Sequence, residues 1–161
     1  MSNVVVSYLD RLTTLCDSAA PVDPEELDAI WRVLPVARIE DLYGTWEGTG
    51  FETGHRAVQL LKASGWYGKT FNSRTDVKPL VCRDANGELY SDATMMNGEA
   101  SLWMVEFQGE VTATMVYDGL PVLDHFKKVD DDVVLGVMNG KDDGLILDEG
   151  HRLYFLLRRV Q

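Results

Sequence analysis

Asp124 and His125 form the adjacent pair in this sequence best suited to proton chemistry. A carboxylate and an imidazole exchange protons readily near neutral pH. In a barrel enzyme of isomerase or cyclase type, Asp124 and His125, or His125 with Tyr67, would act as acid and base. A core or rim histidine satisfied by backbone groups is the plainer alternative for His125. Strand phase puts Leu123, His125, Lys127 and Val129 on one face, and Val122, Asp124, Phe126 and Lys128 on the other. The phase alone leaves open which set points inward, and a bulge would mix them. Arg152 and Tyr154, two residues apart, share one strand face about 7 Å apart. A guanidinium beside a phenol suits a ligand carboxylate; the alternative, which also applies to Arg158, is an exposed arginine beside the core. His55 and His151 each follow a glycine in turn-like contexts, so both are expected at the surface.

Other chemistries lack their residues. No His-x-x-x-His or Cys/His set exists to hold a metal, and Asp130-Asp131-Asp132 lacks the spaced oxygens of a calcium loop. Gly136 to Gly140 is too sparse to cradle phosphate, and no Gly-x-Ser-x-Gly supplies a nucleophile elbow.

The elements that must position these groups fall into two kinds. Residues 3–18 space Val5, Val6, Leu9, Leu12, Leu15 and Cys16 as one apolar helix face. Asp23-Pro24-Glu25-Glu26 is a strong helix start, with Asp23 as cap, Pro24 in the first turn and Glu26 completing a capping box. Its helix presents Leu27, Ile30, Trp31 and Leu34, and Pro35 ends it. A third helix is expected from about Gly54 to Ser64, with Gly65 as its C-terminal glycine. From Trp66 onward, turn signals recur about every ten residues, at Asn86-Gly87, Asn97-Gly98, Gln108-Gly109, Asp118-Gly119, Asp130-Asp132, Asn139-Gly140 and Glu149-Gly150. Val, Thr, Tyr, Trp and Phe fill the runs between them, which predicts short antiparallel strands in a closed or nearly closed sheet. In Glu110–Tyr117, Val111, Ala113, Met115 and Tyr117 occupy one phase, and Thr112, Thr114 and Val116 the other. Residues 152–159 are apolar in both phases, as expected where one face lines a cavity and the other packs under a helix.

Composition narrows the partners. The 161 residues carry 26 acidic and 15 basic side chains, a net charge of −11, with 45% apolar residues. Such a chain buries about 70% of its unfolded surface and needs no cross-link to fold. Its acidity disfavours nucleic acid and anionic membranes. No apolar run reaches the roughly 20 residues of a membrane span. Cys16 and Cys82 stand 66 positions apart in no ligand pattern, and two reduced thiols are expected rather than a disulfide. The N-terminus lacks the basic start of a signal peptide, so the expected compartment is the cytoplasm of a bacterium-like cell.

Leu42-Tyr43-Gly44-Thr45-Trp46-Glu47-Gly48-Thr49-Gly50-Phe51 is the most distinctive stretch. Its glycines allow close backbone approach, and Trp46 supplies a large plug or a cavity floor. It is followed by Ser64-Gly65-Trp66-Tyr67-Gly68-Lys69-x-Phe71, Asp124–Asp130, Gly136-Val137-Met138-x-Gly140-Lys141 and Tyr154-Phe155-x-Leu157-Arg158-Arg159. Together these motifs resemble the bacterial GXWXG family, in which the GXWXG domain adjoins a second domain of unknown function. The likeness covers residues 40–160. More distantly, Gly44-Thr45-Trp46 resembles the Gly-x-Trp of lipocalins and fatty-acid-binding proteins, and Gly44–Gly50 resembles the opening of nitrobindin-type haem barrels. Both likenesses imply a barrel around one small apolar ligand. The first adds a carboxylate role for Arg152 and Tyr154, and the second an iron-ligand role for His151. A helix after the motif departs from the lipocalin pattern, and the lack of a proline in Phe51–Gly54 departs from the nitrobindin one.

These readings converge on an α+β chain of one domain, residues 1–161. A helical segment, 1–38, covers an antiparallel lipocalin-like β-barrel of the calycin kind, 39–161. The expected function is binding of one small hydrophobic molecule, fatty-acid-, terpenoid- or polyketide-like. Trp46, Trp66, Tyr67, Met104, Met115, Tyr117, Phe126 and Tyr154 are the expected contacts, with His125 and Arg152 as polar anchors. Met95, Met96, Met104, Met115 and Met138 would make the walls adaptable. No cofactor is expected; haem on His125 or His151 is the alternative. The other rivals are the barrel enzyme and an acidic face docking a basic partner, the chain acting as monomer or homodimer.

Overall fold

Glycine-punctuated strands and helices assemble into the expected α+β barrel in a computed structural model. It describes residues 2–141 and 144–161, with the side chains of the first helix described from Tyr8 onward. The order is α1 (Ser2–Cys16), α2 (Pro24–Val33), α3 (Ile39–Leu42), β1 (Gly44–Gly50), α4 (Arg56–Ala63), β2 (Trp66–Ser73) and β3 (Asp76–Arg83). It continues with β4 (Leu89–Ser91), β5 (Ala100–Phe107), β6 (Glu110–Tyr117), β7 (Val122–Asp130), β8 (Val133–Gly140) and β9 (Tyr154–Arg159). Strand neighbours run β2-β1-β9-β8-β7-β6-β5-β3, and β2 pairs β3 to close an eight-stranded antiparallel barrel, with β4 appended to β3. The β3–β5 seam is thin, carried by the Val77–Ala100 pair and by Leu102 N–H on the Arg74 carbonyl.

Asp23 caps α2 by accepting from the Glu25 N–H at 2.9 Å, but the expected capping box does not form, because the Glu26 carboxylate instead accepts from the Arg11 guanidinium at 2.7 Å. α4 begins two residues later than expected, because the imidazole of His55 is its cap, accepting from Ala57 N–H at 3.1 Å. Gly65 follows α4 at φ +73°, and a Cβ there would meet the Arg83 carbonyl at 2.8 Å. Val5 and Val6 of the expected α1 face lie outside the described side chains.

The sheet separates two apolar cores. Outside the barrel, Leu12 and Leu15 of α1 and Leu27, Ile30 and Trp31 of α2 pack on Leu135 and Val137 of β8 and Tyr154 and Leu156 of β9. Inside lie Trp46, Phe71, Met115, Phe126, Phe155 and Leu157. β9 therefore alternates between both cores, as its two-phase apolarity predicts.

The short α3 was not foreseen. Beyond Thr114–His125, the strands β6 and β7 stop pairing. The segment 35–37 fills the notch: Ala113 N–H donates to the Ala37 carbonyl at 2.9 Å, and Lys128 N–H to that of Pro35 at 3.0 Å. The chain thus passes from the outer helices to the barrel end, where Ile39 and Leu42 join the inner core. Trp46 plugs this end. It is fully buried, its Nε1–H donates to the Leu42 carbonyl at 2.7 Å, and the Arg159 guanidinium lies 4.3 Å above its ring. Arg159 is fixed in turn by the carbonyls of Tyr43 and Asp41 and the carboxylate of Asp132.

Candidate functional site

Beneath α4, at the other end of β1, the interior is not filled. A cavity of about 200 Å³ is lined by Ala57, Leu60 and Leu61 of α4, and by Trp66, Lys69, Leu80, Met95, Met96, Tyr117, Leu120, Asp124, Met138, Leu145, Leu153 and Phe155. The second glycine of the Gly-x-Trp-x-Gly run makes room for one wall. A Cβ on Gly48 would fall 2.2 Å from the Trp66 ring, so the indole lies directly on the backbone of β1. Trp66 Nε1–H donates to the Pro79 carbonyl at 3.3 Å, and its ring meets Phe155 edge-on at 5.9 Å.

Trp66 and Lys69 are three apart, so an unbroken strand would send them to opposite faces. The pairing of β2 with β3 shifts register between Trp66 and Gly68 and again between Gly68 and Thr70. This irregularity lets both residues line the cavity. Opposite them, β7 turns Asp124 and Phe126 inward.

Lys69 Nζ stands 3.0 Å from Asp124 Oδ2, and both side chains are at least 97% removed from solvent. Nζ also donates to the Pro79 carbonyl at 3.2 Å. The centroids of Trp66, Tyr117 and Phe155 lie 5.2–5.7 Å from it, so aromatic faces replace part of its lost hydration. Burial lowers the affinity of Lys69 for its proton, and burial raises that of Asp124. Each opposes the shift in the other, but desolvation is the larger cause in both, so burial weakens the hold of each group on its charge. Tyr117 is held well above its usual range, first by burial and then by Asp124, and stays a neutral phenol. Its hydroxyl has no hydrogen-bond partner among the described residues. No fully buried polar side-chain atom is left unpaired there, so that hydroxyl keeps access to the cavity.

The residues singled out from sequence are spread over three environments. Trp66, Tyr117 and Asp124 line the cavity, with Met95, Met96 and Met138. Trp46, Met115 and Phe126 are inside the barrel but packed away from the open space; Phe126 wedges edge-on between Phe71 and Phe155. The rest lie outside. Tyr67 is half-buried under the Arg83 guanidinium, 4.9 Å away. Met104 keeps the inward phase but is 44% exposed. Tyr154 faces α2 and donates to Asp28 Oδ1 at 2.6 Å, a bond that, after burial, raises its pKa.

His125 and Arg152 do not anchor the cavity: β7 turns His125 to the outer face, and Arg152 lies in the segment before β9 rather than on a strand face with Tyr154. His125 is fully buried there, stacked on Phe107 at 4.2 Å. Asn139 Nδ2 donates to its Nε2 at 3.1 Å, which leaves the Nδ1 proton for Thr114 Oγ1 at 2.8 Å. Arg152 covers the other face of this cluster, 5.5 Å from the Phe107 ring, with Nε on Asn139 Oδ1 at 3.4 Å. Asp124 and His125 therefore share no site, and neither do His125 and Tyr67. His151 sits half-buried in the 148–151 turn, also outside the cavity, and Arg158 is half-buried near Cys16. His55 is not exposed: besides capping α4, its Nε2 lies 3.1 Å from the Ile146 carbonyl and ties the helix to that loop. Cys16 and Cys82 are free thiols, and burial pushes Cys16 up to about 11.

Sequence reading missed Lys69. A lysine is a surface residue by default. The available signal was its place between two glycine-tryptophan signatures and Phe71, in a strand otherwise short of charge. No group of three or more His, Cys, Asp or Glu able to hold a metal occurs among the described residues. None of the helices among them is long and apolar enough to cross a membrane.

Comparison with known proteins adds lineage. Residues 29–87 match the family described as GXWXG protein, and residues 98–159 match a domain of unknown function, DUF4334. A crystal structure of a protein from Thermomonospora curvata is similar at 34% identity and a TM-score of 0.83, over 94% of this chain and 97% of that one. No curated protein matches.

Proposed function

The chain belongs to the GXWXG family, with DUF4334 as its second region, and from its interior we propose that it holds one small, neutral, mostly apolar molecule. The observation that carries this reading is the composition of the cavity wall. Aromatic, leucine and methionine side chains surround a polar set consisting of Lys69, Asp124 and Tyr117. Apolar walls with a few placed polar groups are the general form of small-molecule sites. A cavity of about 150 Å³ admits benzene, so about 200 Å³ suits a molecule of one ring or a short branched chain rather than a long fatty acid. Lys69 and Asp124 cancel each other's charge, so an anionic guest would bring an unpaired charge into a dry site. A neutral guest with one carbonyl or hydroxyl oxygen instead accepts a hydrogen bond from Tyr117 or from the remaining N–H of Lys69.

Acetophenone, one ring with one carbonyl, is the probe. Calorimetric titration should show saturable binding. Leu61→Trp, which places an indole into the space beside Trp66, should weaken it by about tenfold or more, a change of about 1.4 kcal/mol. No saturable binding, or binding indifferent to Leu61→Trp, would overturn the reading.

A further inference from the structure

We infer that Lys69 captures small aldehydes in this cavity as a reversible imine, with Asp124 as its proton partner. The inference rests on the cavity reading above and adds covalent chemistry to it. A lysine becomes a nucleophile when desolvated in an apolar pocket. Lys69 is 2% exposed, lines the cavity, and lies among three aromatic rings. An ion pair with no other task would be replaceable by apolar side chains at little cost or with a gain in stability. Here the pair instead borders open space large enough for a guest, and an accessible phenol stands beside it.

The steps balance within the pair and the aldehyde. Nζ passes a proton to Asp124, and its freed lone pair forms a bond to the carbonyl carbon. The carbonyl π electrons move to oxygen, which takes the proton back from Asp124 and becomes the hydroxyl of a carbinolamine. Nitrogen then gives Asp124 a second proton. That proton goes to the hydroxyl, the C–O bond breaks, water leaves, and the nitrogen lone pair closes the C=N bond. The product is a protonated imine paired with the Asp124 carboxylate, so the site keeps its charge balance. Nothing is oxidised or reduced. Tyr117 is placed to donate to the aldehyde oxygen while it gains charge.

Benzaldehyde with cyanoborohydride tests this on the full chain, because hydride fixes an imine as a stable amine that peptide mass mapping locates. The expected result is one benzyl group on Lys69, gained at least about tenfold faster than on the exposed Lys62. Asp124→Asn should slow the labelling of Lys69. Lys69→Met combined with Asp124→Leu, an uncharged pair expected to fold, should leave only the slow surface labelling. Labelling no faster at Lys69 than at Lys62 overturns the inference. If acetophenone still binds such a protein, the imine chemistry fails alone; if it does not, the cavity reading fails with it.

Discussion

Burial under Phe107 holds the His125 imidazole neutral, pushing it from an ordinary 6.5 down to about 4, with Arg152 adding a smaller push in the same direction. Between those values the unfolded chain binds a proton that the folded chain refuses. Stability from this residue is therefore full above about pH 6.5 and is lost as pH falls to about 4. The shift corresponds to about 3 kcal/mol. Urea denaturation should show that loss between pH 7 and pH 4, and His125→Asn should reduce it by about that amount. An unchanged acid limb in the variant would mean that the imidazole titrates freely. Asp124, one residue away, has the opposite surroundings, since it faces open space and a cation. Two neighbours on one strand thus serve different cores. Sequence could name both as chemically able but could not assign their faces, because each alternate set of β7 mixes apolar and charged residues.

At the scale of elements, the strands and their turns were readable because each carries its own local signal: β-favouring residues between glycine turns, and the two-phase apolarity of β9. The irregularities were not. The register shifts at Gly68 and the notch filled by 35–37 arise from how neighbouring strands meet, and no periodicity within β2 or β6 announces them. Lys69 and α3 went unseen for that reason. The same element gives the family motif its physical meaning. Gly48 seats Trp66, so Gly48→Ala must displace the indole. The variant should lose about 1–3 kcal/mol to overpacking, and acetophenone should bind at least about tenfold more weakly. Calorimetry and denaturation curves measure the two effects. Unaltered affinity would show that Trp66 does not shape the cavity.

In the whole molecule, one sheet serves two cores, and the helices divide the work. α1 and α2 cover the outside of β8 and β9, while α4 roofs the inside. Trp31 is the largest side chain of the outer core. It meets Phe107 edge-on at 6.0 Å, and its ring lies 5.1 Å from Lys127 Nζ, which also donates to the Trp31 carbonyl. Trp31→Ala should cost about 3–5 kcal/mol of stability, while the folded fraction still binds acetophenone with nearly unchanged affinity. A collapse of affinity without unfolding would mean that the two cores are mechanically coupled.

Leu60 and Met95 line the cavity yet remain 53% and 40% exposed. They form its doorway, and neither belongs to the Gly-x-Trp-x-Gly fingerprint that furnishes the room behind it. If the cavity holds a guest as proposed, a lineage that keeps the fingerprint can change visitors by altering the threshold alone, where side chains face water and substitutions usually cost little.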